Sequence, residues 1–352
     1  MRAINKKINL GIVGLGFVSQ VAHIPALLNN KEIKLLCIAD KNTELLNKVG
    51  KKFKISKRYN SYKKMTSQEK LDGVIVCVQR SETYNIVRYF LSKKIPVLSE
   101  KPAALNFKDA QTLVKISKKF KCKYLLGYMK THEEGVKFTK KVLKTKKLGN
   151  FITLHYENFS GQSFIGKHNY FKQTKNYIKK YSLNKKPDSK KNSYLKFLNS
   201  NCHSINLLRF FFDKLKLKKS YLDQNGEGLV LFENNKQIIS FNNIYGKFKN
   251  NWIENLFFYF DKGILELNLP APLTKNRHAK VYVTFFKSEK KKKISLIKIN
   301  SFSNQIKAFL DSKNISYESL NNTQLLHTTA QLIADGNVVG WYQGKMEWGP
   351  RA

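Results

Sequence analysis

Short apolar runs alternate with helix-periodic stretches through the first 130 residues of the chain. The first run, KINLGIV at 7–13, leads at once into GLGFVSQVAHIPALL, a glycine turn opening a helix. A second run, IKLLCIAD, ends at Asp40, and a third, DGVIVCV at 72–78, precedes a helix around 83–92. The strand PVLSEKP follows, then a helix through 106–119 and the strand KYLLGYM. Strands and helices alternating at this spacing predict a parallel, doubly wound sheet, an α/β Rossmann arrangement. Later, NNWIENLFFYFDKGILELNLP reads as sheet, with Trp252 and Glu254 on strands, and KSEKKKK at 287–293 as a hairpin tip.

The first turn carries candidate chemistry. Gly14 permits a tight turn, and Gly16 lets the backbone approach a pyrophosphate seated at a helix N-terminus. Ser19 stands where a third glycine is usual and is small enough for close helix–strand packing. Asp40 ends the second strand at the distance where a carboxylate would accept hydrogen bonds from an adenosine ribose. Its charge would repel a 2′-phosphate, which favours NAD, while Lys41 beside it leaves NADP open.

A second stretch, FLNSNCHSINLLRFF at 197–211, holds one histidine among apolar residues. Asn199, His203 and Asn206 stand at i, i+4 and i+7 and share a helical face, leaving Leu207, Leu208, Phe210 and Phe211 to cover a core. No carboxylate or second histidine lies at ligand spacing, so the reading assigns no metal. Taken alone, such a histidine reads more often as a satisfied structural residue than as a catalytic one.

Composition narrows the classes. At 352 residues with 42% apolar content, the chain is long enough for two domains and a sizeable core. The formal charge is +41, yet only seven of the 65 basic residues are Arg. Nucleic-acid readers favour Arg, whose planar fork grips phosphate and guanine, so lysines spread along the whole chain read as a solvated basic exterior rather than a nucleic-acid surface. Cys37, Cys77, Cys122 and Cys202 form no CxxC pair and read as reduced, mostly buried thiols of a cytoplasmic protein. The N-terminus imitates a secretory leader, but Gly11, Gly14 and Gly16 break its apolar run. Gln20, His23 and Pro25 argue against a membrane span over 8–30.

At VLSEKPAAL the sequence resembles the glucose–fructose oxidoreductase / inositol dehydrogenase / rhizopine-catabolism (Gfo/Idh/MocA) family. GIVGLGFVSQVAHIPAL, GYMKTHEEGVKFTKKVLKTKKLGN, CHSINLLRF and NSFSNQIKAFLDS carry the same resemblance, in order, over about 7–315. It implies a Rossmann domain (1–125) followed by an α+β domain with a large, mostly antiparallel sheet (126–315), through which family members commonly form homo-oligomers. It implies hydride transfer between nicotinamide and a hydroxyl-bearing carbon of a sugar, polyol or nucleotide-sugar-like substrate. Under it, Lys101 contacts the reacting hydroxyl, His203 is the general base, Asn199 orients His203, and Asn206 joins Lys101 and His203 in the substrate site. The cofactor set is Gly14, Gly16, Phe17, Val18, Asp40, Lys41, Val78, Gln79, Glu100 and Lys101. The chemistry agrees: alcohol oxidation needs a base near neutral pH, and an ammonium stabilises developing alkoxide.

The chain departs from the family in places. Asn199 and Asn206 stand where many members carry aspartate, and an amide orients a ring without charging it. VQRSETY at 78–84 replaces the usual loop near nicotinamide, with Gln79 and Thr83 at its proline and histidine positions. These departures keep a second reading open, a dinucleotide-binding sensor without turnover. His23 reads as packing around the first helix; His132, Glu133 and Glu134 as either solvated or cleft-lining; His155 and His168 as bordering substrate. The tail, 316–352, resembles instead a fragment of a carbamoyltransferase C-terminal lobe.

Overall fold

The computed structural model describes residues 7–160, 201–245, 251–274 and 277–311. These fall into two compact units, one of residues 7–127 with 305–311, the other of 128–304.

The first unit holds a six-stranded sheet in the order β3-β2-β1-β4-β5-β6 with every pair parallel. Its strands are β1 (Ile8–Val13), β2 (Ile33–Ala39), β3 (Lys57–Tyr59), β4 (Gly73–Val76), β5 (Val97–Ser99) and β6 (Tyr124–Leu126). Leu10, Ile12, Val74, Ile75 and Val76 are wholly buried, as expected for central strands covered on both faces. The helices are α1 (Ile24–Leu28), α2 (Thr43–Lys52), α3 (Tyr62–Gln68), α4 (Arg80–Ser92) and α5 (Phe107–Lys119). Side-chain caps begin three of them: Asn42 accepts from Leu45 N at 2.9 Å, Ser61 from Lys63 N at 3.2 Å, and Asn106 from Asp109 N at 2.9 Å. Strand order reverses between β1 and β4, where Val13 and Val76 are in register. Such a reversal opens the crevice in which doubly wound sheets bind ligands.

Two local features differ from the sequence expectation. The glycine turn opens a helix, as expected, but not a uniform one: Phe17 and Val18 are α-helical, Ser19–His23 is a π-helical turn, and α1 follows with Pro25 in its first turn. In addition, β3 is a three-residue edge strand of polar and charged residues that apolar periodicity does not mark.

The second unit carries an eight-stranded sheet, β14-β13-β12-β11-β7-β10-β9-β8, antiparallel except for the β10–β7 pair. Its central strands are β7 (Phe151–Ser160), β10 (Gln237–Tyr245) and β11 (Trp252–Phe260). The flanking strands are β8 (Lys216–Leu222), β9 (Gly228–Asn234), β12 (Gly263–Asn268), β13 (Lys280–Phe285) and β14 (Lys291–Lys293). Burial alternates along β7 from Thr153 onward and along β11 from Ile253 onward, the period of a sheet covered on one face. That inner face packs against α6 (Glu134–Thr145) and α7, helical at 201–211, through Val136, Val142, Leu207, Leu208 and Phe211. Phe211 meets Phe258 edge-on with ring centroids 5.1 Å apart. The lysine-rich run lies, as expected, at a β-hairpin, with β14 pairing β13. α8 (Ser301–Asp311) ends the described chain; its Phe309 is buried in the first unit against the backbone of Gly73.

Among the described residues no helix is long and apolar enough to cross a membrane. Nor do three or more His, Cys, Asp or Glu side chains converge among them as a metal site would require.

Candidate cofactor and catalytic site

Gly14 takes φ +87°, and a Cβ there would stand 2.4 Å from the Cys77 carbonyl at the end of β4. Only glycine fits so close an approach between the ends of the two central strands. The turn is braced from its own helix: Ser19 Oγ donates to Gly14 O, and Gln20 Nε2 donates to Leu15 O at 2.8 Å. Gly16 is different, since no atom lies within 4 Å of where its Cβ would be. The backbone there faces open space, as a turn meant to receive a phosphate must.

Asp40 lies one residue beyond β2 and is buried. Its Oδ2 accepts from Leu15 N at 2.8 Å and its Oδ1 from Asn42 N at 2.9 Å. Lys41 Nζ lies 3.9 Å from Glu82 Oε1, both side chains exposed. Gln79 precedes α4 with an extended backbone, and Thr83 Oγ1 donates to its carbonyl at 3.3 Å. Phe17, Val18 and Val78 are half-buried around the same turn and strand end.

The Glu-Lys-Pro corner follows β5, and Lys101–Pro102 is a cis peptide. Glu100 N donates to Val76 O at 2.8 Å, holding the corner beside the end of β4. His23 Nε2 lies 2.7 Å from Glu100 Oε1, with His23 wholly buried. The sequence reading gave His23 only a packing role; the bond spans 77 positions, which local spacing does not reveal. Burial pushes the imidazole pKa down, but Cys77 and Glu100 beside it push it up to about 10.

In the second unit His203 sits half-buried on α7, its ring edge-on to Tyr128 with centroids 5.8 Å apart. Asn206, one turn on, is half-exposed. Asn199, His168 and the 316–352 tail lie outside the described residues.

Sequence reasoning missed a buried polar cluster in this unit. Lys130 Nζ and Glu254 Oε1 are 2.5 Å apart. Tyr156 donates to Glu254 Oε1 at 2.6 Å and Trp252 Nε1 to Oε2 at 3.0 Å. Ser204 of α7 is 2.9 Å from the Tyr156 hydroxyl and accepts from Asn158 Nδ2 at 3.1 Å. His132 and Glu133 are buried rather than solvated, while Glu134 is partly exposed and pairs with Lys137 at 2.9 Å. His155 is a residue of β7, with Nδ1 2.8 Å from Ser240 Oγ and Nε2 3.2 Å from Glu157 Oε1.

Strand order, switch-point glycine turn and post-β2 carboxylate define a dinucleotide-binding Rossmann fold. Residues 8–128, about a third of the chain, match the Gfo/Idh/MocA family model described as "Oxidoreductase family, NAD-binding Rossmann fold". The chain is 23% identical over 145 residues to the rhizopine catabolism protein MocA of Rhizobium meliloti, covering 41% of this chain and 44% of that protein. It is 23% identical over 140 residues to the myo-inositol 2-dehydrogenase of Thermotoga maritima, covering 40% and 42%. It thus spans less than half the length of these curated relatives. The fold as a whole is similar to KijD10, a 3-ketoreductase from Actinomadura kijaniata solved with TDP-benzene and NADP. That likeness has TM-score 0.68 at 14% identity, over 88% of this chain and 90% of that one.

Proposed function

We propose that this chain is an NAD(P)-dependent oxidoreductase acting on a hydroxyl-bearing carbon of a sugar, polyol or nucleotide-sugar-like compound. The observation that carries this reading is the open backbone at Gly16, next to the tight Gly14 turn at the point where the strand order reverses. Gly14, Gly16, Phe17 and Val18 would hold the pyrophosphate end, Asp40 and Lys41 the adenosine ribose, and Val78, Gln79 and Glu100 the nicotinamide end. Bound there, the dinucleotide supplies the hydride acceptor or donor. Lys101 polarises the reacting oxygen and lowers the hydroxyl's pKa. His203 takes or returns the hydroxyl proton, oriented by Asn199, and Asn206 hydrogen-bonds substrate. The name of one relative, a myo-inositol 2-dehydrogenase, supports the substrate class.

We also infer that a second copy of the chain covers the outer face of the large sheet. Exposed Ile238 and Ile253 stand there beside half-buried Phe257 and Tyr259. Sedimentation velocity would show a dimer or larger if so, and a monomer at micromolar concentration would refute it.

The test of the activity is NADH and NADPH binding by fluorescence titration, followed by turnover on a panel of polyols, sugars and nucleotide sugars. Dinucleotide binding with turnover that Lys101→Met abolishes is the expected result. Binding without turnover on any compound favours a dinucleotide-sensing protein, and failure to bind either dinucleotide overturns both readings.

A further inference from the structure

The His23–Glu100 pair joins two parts of the first unit that the cofactor reading treats separately. One is the π-helical turn Ser19–His23, fastened to the glycine turn through Ser19 to Gly14 O and Gln20 to Leu15 O. The other is the corner after β5, held by Glu100 N to Val76 O and by Gly127 N to Ser99 O at 2.7 Å. Gly127 also lies close under the corner: a Cβ on it would approach Glu100 Oε1 to 3.2 Å. His23 is therefore the side-chain link in a continuous series of hydrogen bonds from the glycines to the residue preceding Lys101.

We propose that His23 is a positioning residue: its 2.7 Å contact with Glu100 ties the Glu-Lys-Pro corner to the glycine turn and so fixes where Lys101 presents its ammonium. This rests on the oxidoreductase reading for its purpose, though not for its test. Stability alone is a poor reason for the contact. A buried ion pair replaced by apolar residues of similar volume is often no less stable, because both charges lose their hydration. The titratable groups facing His23 are Glu100 and Cys77, and both raise its pKa against the effect of burial. A charged ring holds a carboxylate more firmly than a neutral one does.

The test uses the full chain with NADH present. Wild type, His23→Gln and Glu100→Gln are pulsed with acetic anhydride at pH 8, and acetylation of each lysine is quantified by mass spectrometry. Lys115, exposed on α5, is the internal reference. The expected result is a shift of about threefold or more in the Lys101 to Lys115 ratio in both variants, since loosening the corner changes the ammonium's surroundings. An unchanged ratio in folded variants overturns the proposal, and so does loss of the folded circular-dichroism spectrum in both, which would make the pair structural only. Because no turnover is needed, failure here is distinct from failure of the activity. Where a substrate is turned over, kcat should fall about tenfold in His23→Gln with KM little changed. Equal loss in KM alone would mark a binding role and count against the proposal.

Discussion

Lys130 and Glu254, 124 positions apart, form an ion pair in the second unit with both side chains almost wholly withdrawn from solvent. Glu254 is the better supported partner, because Tyr156 and Trp252 also donate to its carboxylate. Lys130 depends more on its counter-charge, with the Trp252 ring 5.6 Å from its ammonium as a further contact. Glu254→Gln should therefore cost about 3–5 kcal/mol, the range for stranding a buried charge. Lys130→Met should cost less, and the double variant should recover part of the Glu254→Gln loss. Urea unfolding of the three variants measures this; additive losses would show that the two side chains are not energetically coupled.

The adjacent residues His132 and Glu133 titrate in opposite senses. Burial, helped by the charge of Lys137, pushes His132 down to about 4. Burial pushes Glu133 up to about 7, against the bond it accepts from Ala279 N. With Glu133 raised above its unfolded value, its contribution is complete below about pH 4.5 and lost as pH rises to about 7. His132 is depressed, so its contribution is complete above about pH 6.5 and lost as pH falls to about 4. Each is worth about 3 kcal/mol across its window, and the two nearly cancel between them. Glu133→Gln should make stability rise with pH relative to wild type over pH 5–7, and His132→Asn should make it fall. Unfolding curves at several pH values read these slopes directly, and parallel profiles would refute the assignment.

The first unit was largely legible because its strands are continuous apolar runs and its turn is marked by glycine. Residues 8–13 and 73–76, read as strands, lie at the centre of the sheet. What was not legible depends on distant partners. Nothing local in SQVAH distinguishes a π-helical turn from an α-helical one, and nothing in KRY marks an edge strand, which borrows its order from β2. Glu254 could be read as a strand residue, but the β7–β11 register brings it opposite Asn158 and near Tyr156, and a short turn after β6 supplies Lys130. His23 escaped for the same reason: its partner arrives from another strand end.

Cysteine reactivity should divide the four thiols by burial. Burial pushes Cys37 up to about 12, aided by Glu69, and Cys122 up to about 11. Both are nearly inaccessible, at 0% and 4% exposure, whereas Cys77 and Cys202 are half-exposed. The thiolate is the nucleophile, so thiols with raised pKa react slowly at pH 8. Iodoacetamide on the folded chain should label Cys77 and Cys202 first and spare Cys37 and Cys122. Peptide mass spectrometry would settle the order, and early labelling of Cys37 would contradict its place in the core.

The two glycines of the turn should fail in different ways when each is replaced by alanine. At Gly14 the methyl meets the Cys77 carbonyl at 2.4 Å, on a backbone with φ +87°. Both the clash and the left-handed backbone oppose it, so Gly14→Ala should lower stability by about 2 kcal/mol or more and disturb the end of β1. At Gly16 the methyl meets no protein atom within 4 Å, and its backbone is not left-handed. Gly16→Ala should leave stability within about 0.5–1 kcal/mol of wild type, yet occupy the space a pyrophosphate needs. The expected signature is a normal melting curve with NADH affinity reduced about tenfold or more, against a lowered melting temperature for Gly14→Ala. Thermal unfolding and NADH titration on the two variants separate fold from site at neighbouring positions. Unchanged NADH affinity in a folded Gly16→Ala variant would mean that the open backbone there does not receive the dinucleotide.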